Sequence, residues 1–193
     1  MLVTVSGPPG AGKSSTAAAL AASLDLEHVS GGDIFREMAA ERDMSLLAFN
    51  KLAEEDDSID RELDRRLRRT AMEGEDLVLE SRLAGWLGGE YADFRVWLDA
   101  PLDVRATRIA HREDRSVEAT RVEERERQES ETRRYREYYD IDVTDLSIYD
   151  LSMNTGRWPE SVVPSIVVDA IEAYDPDEDE GAMAVEADFG FED

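Results

Sequence analysis

Eight residues near the start of the chain, Gly7-Pro8-Pro9-Gly10-Ala11-Gly12-Lys13-Ser14, satisfy the spacing G-x-x-x-x-G-K-[ST] in full. The chemistry of that spacing is phosphate binding. Glycines let a loop turn its backbone N–H groups inward around oxygen atoms. A helix opening near Gly12 adds the positive end of its dipole. Lys13 brings a mobile cation to the β- and γ-phosphates of a nucleoside triphosphate, and the Ser14 hydroxyl is the Mg²⁺ ligand of such loops. Ser15 follows as a further phosphate or capping contact. Lys13 is one of two lysines, with Lys51, against twenty arginines, so a chain that has nearly abandoned lysine keeps one here. The competing reading is a glycine-rich turn with an incidental lysine.

Such a loop must follow a strand and open a helix. "LVTVS" (2–6) reads as a buried strand and 12–25 as an alanine-rich helix. Further strands are expected at 27–30, 76–81, 93–100 and 148–155. Helices are expected at 32–43, 45–56, 58–74, 101–114, 116–139 and within 158–174, with a short one after Arg82. Ser45 and Ser58 read as N-caps, Gly74 as a C-terminal stop, and Pro101 as a first-turn residue. The alternation implies an α/β fold: a five-stranded parallel sheet with helices on both faces. Residues 1–174 form one domain in this reading. The stretch "DPDEDEGAMAVEADFGFED" (175–193) has nine acids and no base, and reads as a disordered tail, with docking of its "AVEADFGF" segment as the lesser alternative.

Composition sets the outer bounds. At 193 residues and net charge −24, the chain is a single acidic domain. That charge, with lysine nearly replaced by arginine, fits a protein of salty surroundings. It argues against binding nucleic acid or an anionic membrane. There is no cysteine, so disulfides and thiolate metal sites are excluded. No apolar run approaches a membrane span, and the N-terminus lacks the pattern of a signal peptide. A cytoplasmic monomer is expected. Neither His28 nor His111 sits in a metal or nucleophile pattern, and both read as structural.

Three activities compete for the phosphate loop. A GTPase switch needs N-K-x-D late in the chain, but Asn50-Lys51 is followed by Leu52-Ala53 in an early helix. An ATP-gated interaction module needs no second phosphate site. A small-molecule kinase needs cations for the acceptor and a mobile cover carrying more. Arg36 and Arg82 fall after the second and third strands, at the strand ends where open parallel sheets bind ligands. Two arginines there can fork onto one phosphate. Arg108 and Arg112 share a helix face at i,i+4, and Arg127 and Arg134 share one over two turns. The bland alternative for these is a solvated helix laced with ion pairs. The arginines together favour the kinase.

The stretches "GPPGAGKSS", "SGGDIFR", "LESRLAGW", "RIAHRE", "RQESETRRYREYYDID" and "SIYDLSMNT", in this order, resemble the nucleoside monophosphate kinases, and most closely the archaeal cytidylate kinases. The resemblance runs to about residue 174. It implies the P-loop kinase fold with a helical monophosphate-binding insertion at about 32–73 and a lid at about 112–134. It implies transfer of the γ-phosphoryl of ATP to CMP, and to dCMP, with Mg²⁺. UMP and AMP remain alternative acceptors. Residues 7–15 would hold ATP, with Arg108 and Arg112 at the lid base beside it. Ser30, Asp33, Arg36 and Arg82 would line the monophosphate pocket. Lys13, Arg112, Arg127 and Arg134 would act on the transferring phosphoryl, and Glu80 would hold Mg²⁺ through water. Two positions depart from relatives. Gly31 stands where adenylate kinases carry a β-branched hydroxyl residue, and Ser81 stands where a glycine is frequent. A lid without cysteine implies no zinc.

Overall fold

The computed structural model describes residues 1–187 and 189–190. Its centre is a five-stranded, all-parallel sheet: β1 (Leu2–Ser6), β2 (Glu27–Ser30), β3 (Leu77–Glu80), β4 (Phe94–Asp99) and β5 (Leu151–Asn154), in the order β2-β3-β1-β4-β5. Every residue of β1 is buried, because this strand is central and covered on both faces. Its alternation divides the core. Leu2 joins Leu77, Leu79, Leu83, Trp86, Tyr139 and Ile141 on one face. Val3 and Val5 join Ala17, Leu20, Val96, Leu98, Val167 and Ile171 on the other.

Helices α1 (Lys13–Leu24) and α8 (Val163–Glu172) pack on the second face. On the first lie α4 (Asp57–Glu73), α5 (Ala84–Gly88) and the end of α7 (Val117–Tyr139). Between β2 and β3 the chain inserts α2 (Gly31–Glu41), α3 (Leu46–Glu55) and α4. These helices share a small core of Met38, Ala39, Phe49, Ala53 and Ile59. After β4, α6 (Leu102–Glu113) and α7 form a tight antiparallel pair.

The caps show why the helices start and stop where they do. The Ser45 hydroxyl accepts from the Ala48 N–H, as its sequence position suggested. Ser58 is not a cap; Asp56 is, accepting from the Ser58 N–H. Pro101 is the residue before α6 rather than its first turn. Gly74 ends α4 in extended backbone. Asp25, Asp114 and Asp140 end α1, α6 and α7 in left-handed conformation, a role a short polar side chain tolerates and glycine more often fills.

The acidic tail differs from its expectation. Phe189 is buried, with its ring centroid 5.0 Å from that of Tyr139, and Val185 and Ala187 pack beside it. The buried Arg95 of β4 donates to the Met183 carbonyl at 3.0 Å. Three apolar side chains and one buried guanidinium therefore hold a segment whose composition reads as free chain. Asp188 and residues 191–193 of that segment lie outside the described residues.

Candidate active site

β1 runs into the loop at its carboxyl end, and Gly7 turns it. Gly7 has φ +140°, and a Cβ there would lie 1.9 Å from the Leu98 carbonyl oxygen, so no other residue fits. Gly12, also left-handed, precedes α1, and no side chain caps that helix. Its first-turn N–H groups are therefore free to receive an anion. Two arginines of α6 brace the loop from outside. Arg105, almost wholly buried, donates to Pro9 O at 3.3 Å, Ala100 O at 2.9 Å and Gln128 Oε1 of α7 at 2.8 Å. Arg108 donates to Gly10 O at 3.1 Å and to Oγ1 and O of Thr155 at 3.0 and 3.2 Å. Thr155, itself buried, donates to Ala11 O at 2.8 Å. Loop carbonyls thus face arginines outside the loop, which orients its N–H groups the other way.

Lys13 is buried, and its Nζ donates to Pro8 O at 3.1 Å. Burial pushes its pKa down to about 8. Glu80 opposes that shift, while Arg82, Arg127 and Arg105 add to it by repulsion. Lys13 of α1 is thus within electrostatic reach of Arg82, of Arg127 on α7 and of Arg105 on α6. Arg82, largely buried just beyond β3, is pushed down to about 10 by burial and then by Arg127. In the protein alone, Glu131 of α7 is placed between them, paired with Arg82 and 3.1 Å from Arg127 Nε.

The residues expected to line an acceptor pocket are brought together in part. Glu80 is buried and accepts from Ser30 Oγ at 2.9 Å, with His28 Nε2 4.0 Å away. Asp33 and Arg36 are exposed and paired with each other on the first turns of α2. The two family departures touch. A Cβ on Gly31 would lie 3.0 Å from Ser81 Cβ and 3.3 Å from Glu80 O. The side chain absent at 31 makes room for the one present at 81.

Two expected residues are not brought to the cluster. Arg112 is exposed at the end of α6 and pairs with Glu113 at 2.8 Å. Arg134 lies two turns along α7 from Arg127 and faces the insertion. It pairs with Asp60 at 2.7 Å and donates to Ala53 O at 3.2 Å. Arg105, Thr155, Gln128, Glu124 and Glu131 were not singled out by sequence. The signal for the last three was the three- and four-residue spacing of Glu124, Arg127, Gln128, Glu131, Arg134 and Tyr135, a polar stripe on a helix that reads as charged all round.

Below Arg134, Asp64 of α4 is buried and accepts from Tyr139 Oη at 2.9 Å. Burial raises its carboxyl to about 7, and Asp60 adds to the rise. A folded pKa above the unfolded 3.8 gives stability that is complete below pH 3.8 and lost as pH rises to about 7. Asp64→Asn should therefore raise the melting temperature at pH 8 more than at pH 5, by on the order of 2–4 kcal/mol of stability. Thermal melts of both proteins across pH 5–8 check this. An Asn variant that melts lower than the parent at both ends would refute it.

The chain is similar to known proteins over nearly its whole length. A family model described as "AAA domain" matches residues 6–136. The cytidylate kinase of Haloquadratum walsbyi is 62% identical over 186 residues, covering 96% of this chain and 97% of that protein. The cytidylate kinase of Pyrococcus horikoshii is 46% identical, covering 94% of each. Among solved structures, shikimate kinase from Acinetobacter baumannii superposes with a TM-score of 0.60 at 17% identity, over 89% of this chain and 93% of that one, which shows a shared P-loop kinase fold. With the phosphate loop, the 2-3-1-4-5 parallel sheet and these identities together, the chain belongs to the archaeal cytidylate kinases, close to members from halophiles.

Proposed function

We propose that the protein transfers the γ-phosphoryl of ATP to CMP, and to dCMP, giving ADP and the cytidine diphosphate. One observation carries the reading: Arg82 and Arg127 pair with one carboxylate, Glu131, within electrostatic reach of Lys13 in the phosphate loop. A binding module has no use for a second set of cations, whereas a transferring phosphoryl does. CMP as acceptor rests on the relatives' names and their identity to this chain.

The loop of residues 7–15 holds the triphosphate of ATP through N–H groups and Lys13, with Arg105, Arg108 and Thr155 fixing its shape. The acceptor enters from the insertion, residues 32–73, with its phosphate on Arg82 and its approach lined by Ser30, Asp33 and Arg36. The lid, residues 112–134, is the α6–α7 turn and the outer part of α7. Arg127, about half exposed, is its cation at the transfer point, and Arg112 and Arg134 reach the nucleotides only if that hairpin moves. Phosphoryl transfer asks for positioning and charge neutralisation rather than a dedicated base.

The residues fit Mg²⁺ in a water-rich shell. Ser14 offers a hydroxyl at the exposed start of α1, and the Glu80 carboxylate lies beside Lys13. No group of three or more His, Cys, Asp or Glu gathers as a metal cage among the described residues, which suits a cation held mostly by water and phosphate. Held by the Ser14 hydroxyl and, through water, by Glu80, Mg²⁺ would supply charge neutralisation on the triphosphate. The working unit we propose is a monomer. No helix among the described residues is long and apolar enough to cross a membrane; the cytoplasm, where ATP and CMP meet, is the location we propose.

An ADP-release assay on CMP, dCMP, UMP and AMP tests the reading. CMP should have the highest specificity constant, with dCMP next. AMP preferred by tenfold, about 1.4 kcal/mol, would make it an adenylate kinase. No turnover of any monophosphate would leave an ATP-gated module.

A further inference from the structure

We infer that Glu131 is an internal stand-in for the acceptor phosphate, holding its seat between Arg82 and Arg127 until CMP displaces it. The inference rests on the reading of those arginines as phosphate-binding groups. Glu131 lies on the buried face of α7, 8% exposed, and its carboxylate touches Arg82 of the core and Arg127 one turn back on its own helix. Carboxylate and phosphate present the same recognition chemistry to guanidinium: anionic oxygens spaced for a fork. Arg82 is ion-paired with Glu131, and its further charged neighbours include Arg127, which repels it, and Glu124 and Asp60, which attract it.

Competition for donors is why the carboxylate must yield. The Glu131 carboxylate and an entering phosphate need the same guanidinium N–H groups of Arg82 and Arg127, and the two anions repel each other at that distance. Glu131 therefore keeps two repelling arginines aligned while the site is free, and it competes with every phosphate that enters. Its position on α7 gives the displacement a consequence. An acceptor that takes over Arg82 releases α7 from the core at this point, and the helix that carries Arg127 becomes free to move over the nucleotides. Empty-site alignment, acceptor affinity and the release of the lid helix then run through one side chain. Glu124, also buried on α7 with one carboxylate oxygen unpartnered and 3.9 Å from Arg127, can receive Arg127 when Glu131 leaves.

The competition predicts the unusual sign of tighter binding on removing an ion-pair partner. Glu131→Gln keeps the shape and an acceptor oxygen but loses the charge. Calorimetric titration without ATP should show CMP binding at least threefold tighter than to the parent, with cytidine, which lacks the phosphate, changed by less than twofold. Glu131→Asp, one methylene short of Arg82, should tighten CMP at least twofold and decides the matter if the Gln variant does not fold. A scaffolding role predicts weaker CMP binding in both variants, and that result, or no change, overturns the inference. Arg82→Ala run alongside separates the two layers. If it leaves CMP binding intact, the acceptor-phosphate reading of Arg82 has failed. If it weakens CMP while neither Glu131 variant tightens it, only the stand-in has failed.

Discussion

Lys13→Ala keeps its fold and loses turnover of CMP by about 10²–10³ or more, the scale set by removing one preorganised charge from a dry site. Keeping the fold follows from how Lys13 is held. Its one hydrogen bond is to Pro8 O, it is buried, and three arginines repel it. With the site empty, such a cation costs stability rather than adding it. Its folded pKa of about 8 lies below the unfolded 10.5, so between those values the unfolded chain binds more protons and the parent gains stability as pH rises. Lys13→Ala removes that gain, so the melting curves of parent and variant should differ below pH 8 in the variant's favour and converge toward pH 10.5. Activity moves the other way, because ATP supplies the anion that makes the lysine favourable. Kinetics and melts on the same preparations check both halves. Turnover within tenfold of the parent would refute the phosphate-loop assignment.

The phosphate loop was legible because its requirements are local. Gly7 needs a conformation other residues rarely adopt, and the strand before it and the helix after it are strongly patterned over short windows. The sheet followed from the alternation of elements, and the expected strands and helices stand within a few residues of the observed ones. What was hidden depended on partners distant in sequence. Arg105 looks like any arginine on α6 until Pro9 and Gln128, 96 and 23 residues away, are placed against it. Arg134 shares a face with Arg127, but helix pitch cannot say that α3 and α4 lie opposite one and the phosphate loop opposite the other. Gly31 and Ser81 read as two separate departures from relatives, yet they are the two sides of one contact. Composition averages over the tail and favoured free chain, while its packing depends on a few residues of "AVEADFGF", Val185, Ala187 and Phe189, and on the Met183 carbonyl.

Arg82 and Arg127 flank the same carboxylate, yet their substitutions should be read out in different constants. Arg82 follows β3 and is largely buried, so it is in place before any nucleotide arrives. A cation fixed in the core meets the acceptor phosphate equally in the ground and transition states, and such an interaction appears in KM. Arg82→Ala should therefore raise KM for CMP by at least tenfold, with a smaller fall in kcat. Arg127 sits on α7 with about half its side chain exposed, held by Glu131 and close enough to Lys13 to depress its pKa. It meets the acceptor phosphate beside Arg82 and strengthens that contact when charge moves between donor and acceptor, so Arg127→Ala should lower kcat by about 10²–10³ and raise KM for CMP by less than Arg82→Ala does. Because both arginines share Glu131, the double variant should lose less than the sum of the single losses: removing either frees the carboxylate to take the other for itself. Arg134→Ala supplies the contrast. It breaks the link from α7 to Asp60 and Ala53, and it should shift the melting temperature more than either constant. If Arg127→Ala turned over CMP within threefold of the parent while Arg134→Ala lost a hundredfold in kcat, the transfer-point cation would be Arg134, swung in from α4 by a lid motion larger than the exchange of one carboxylate.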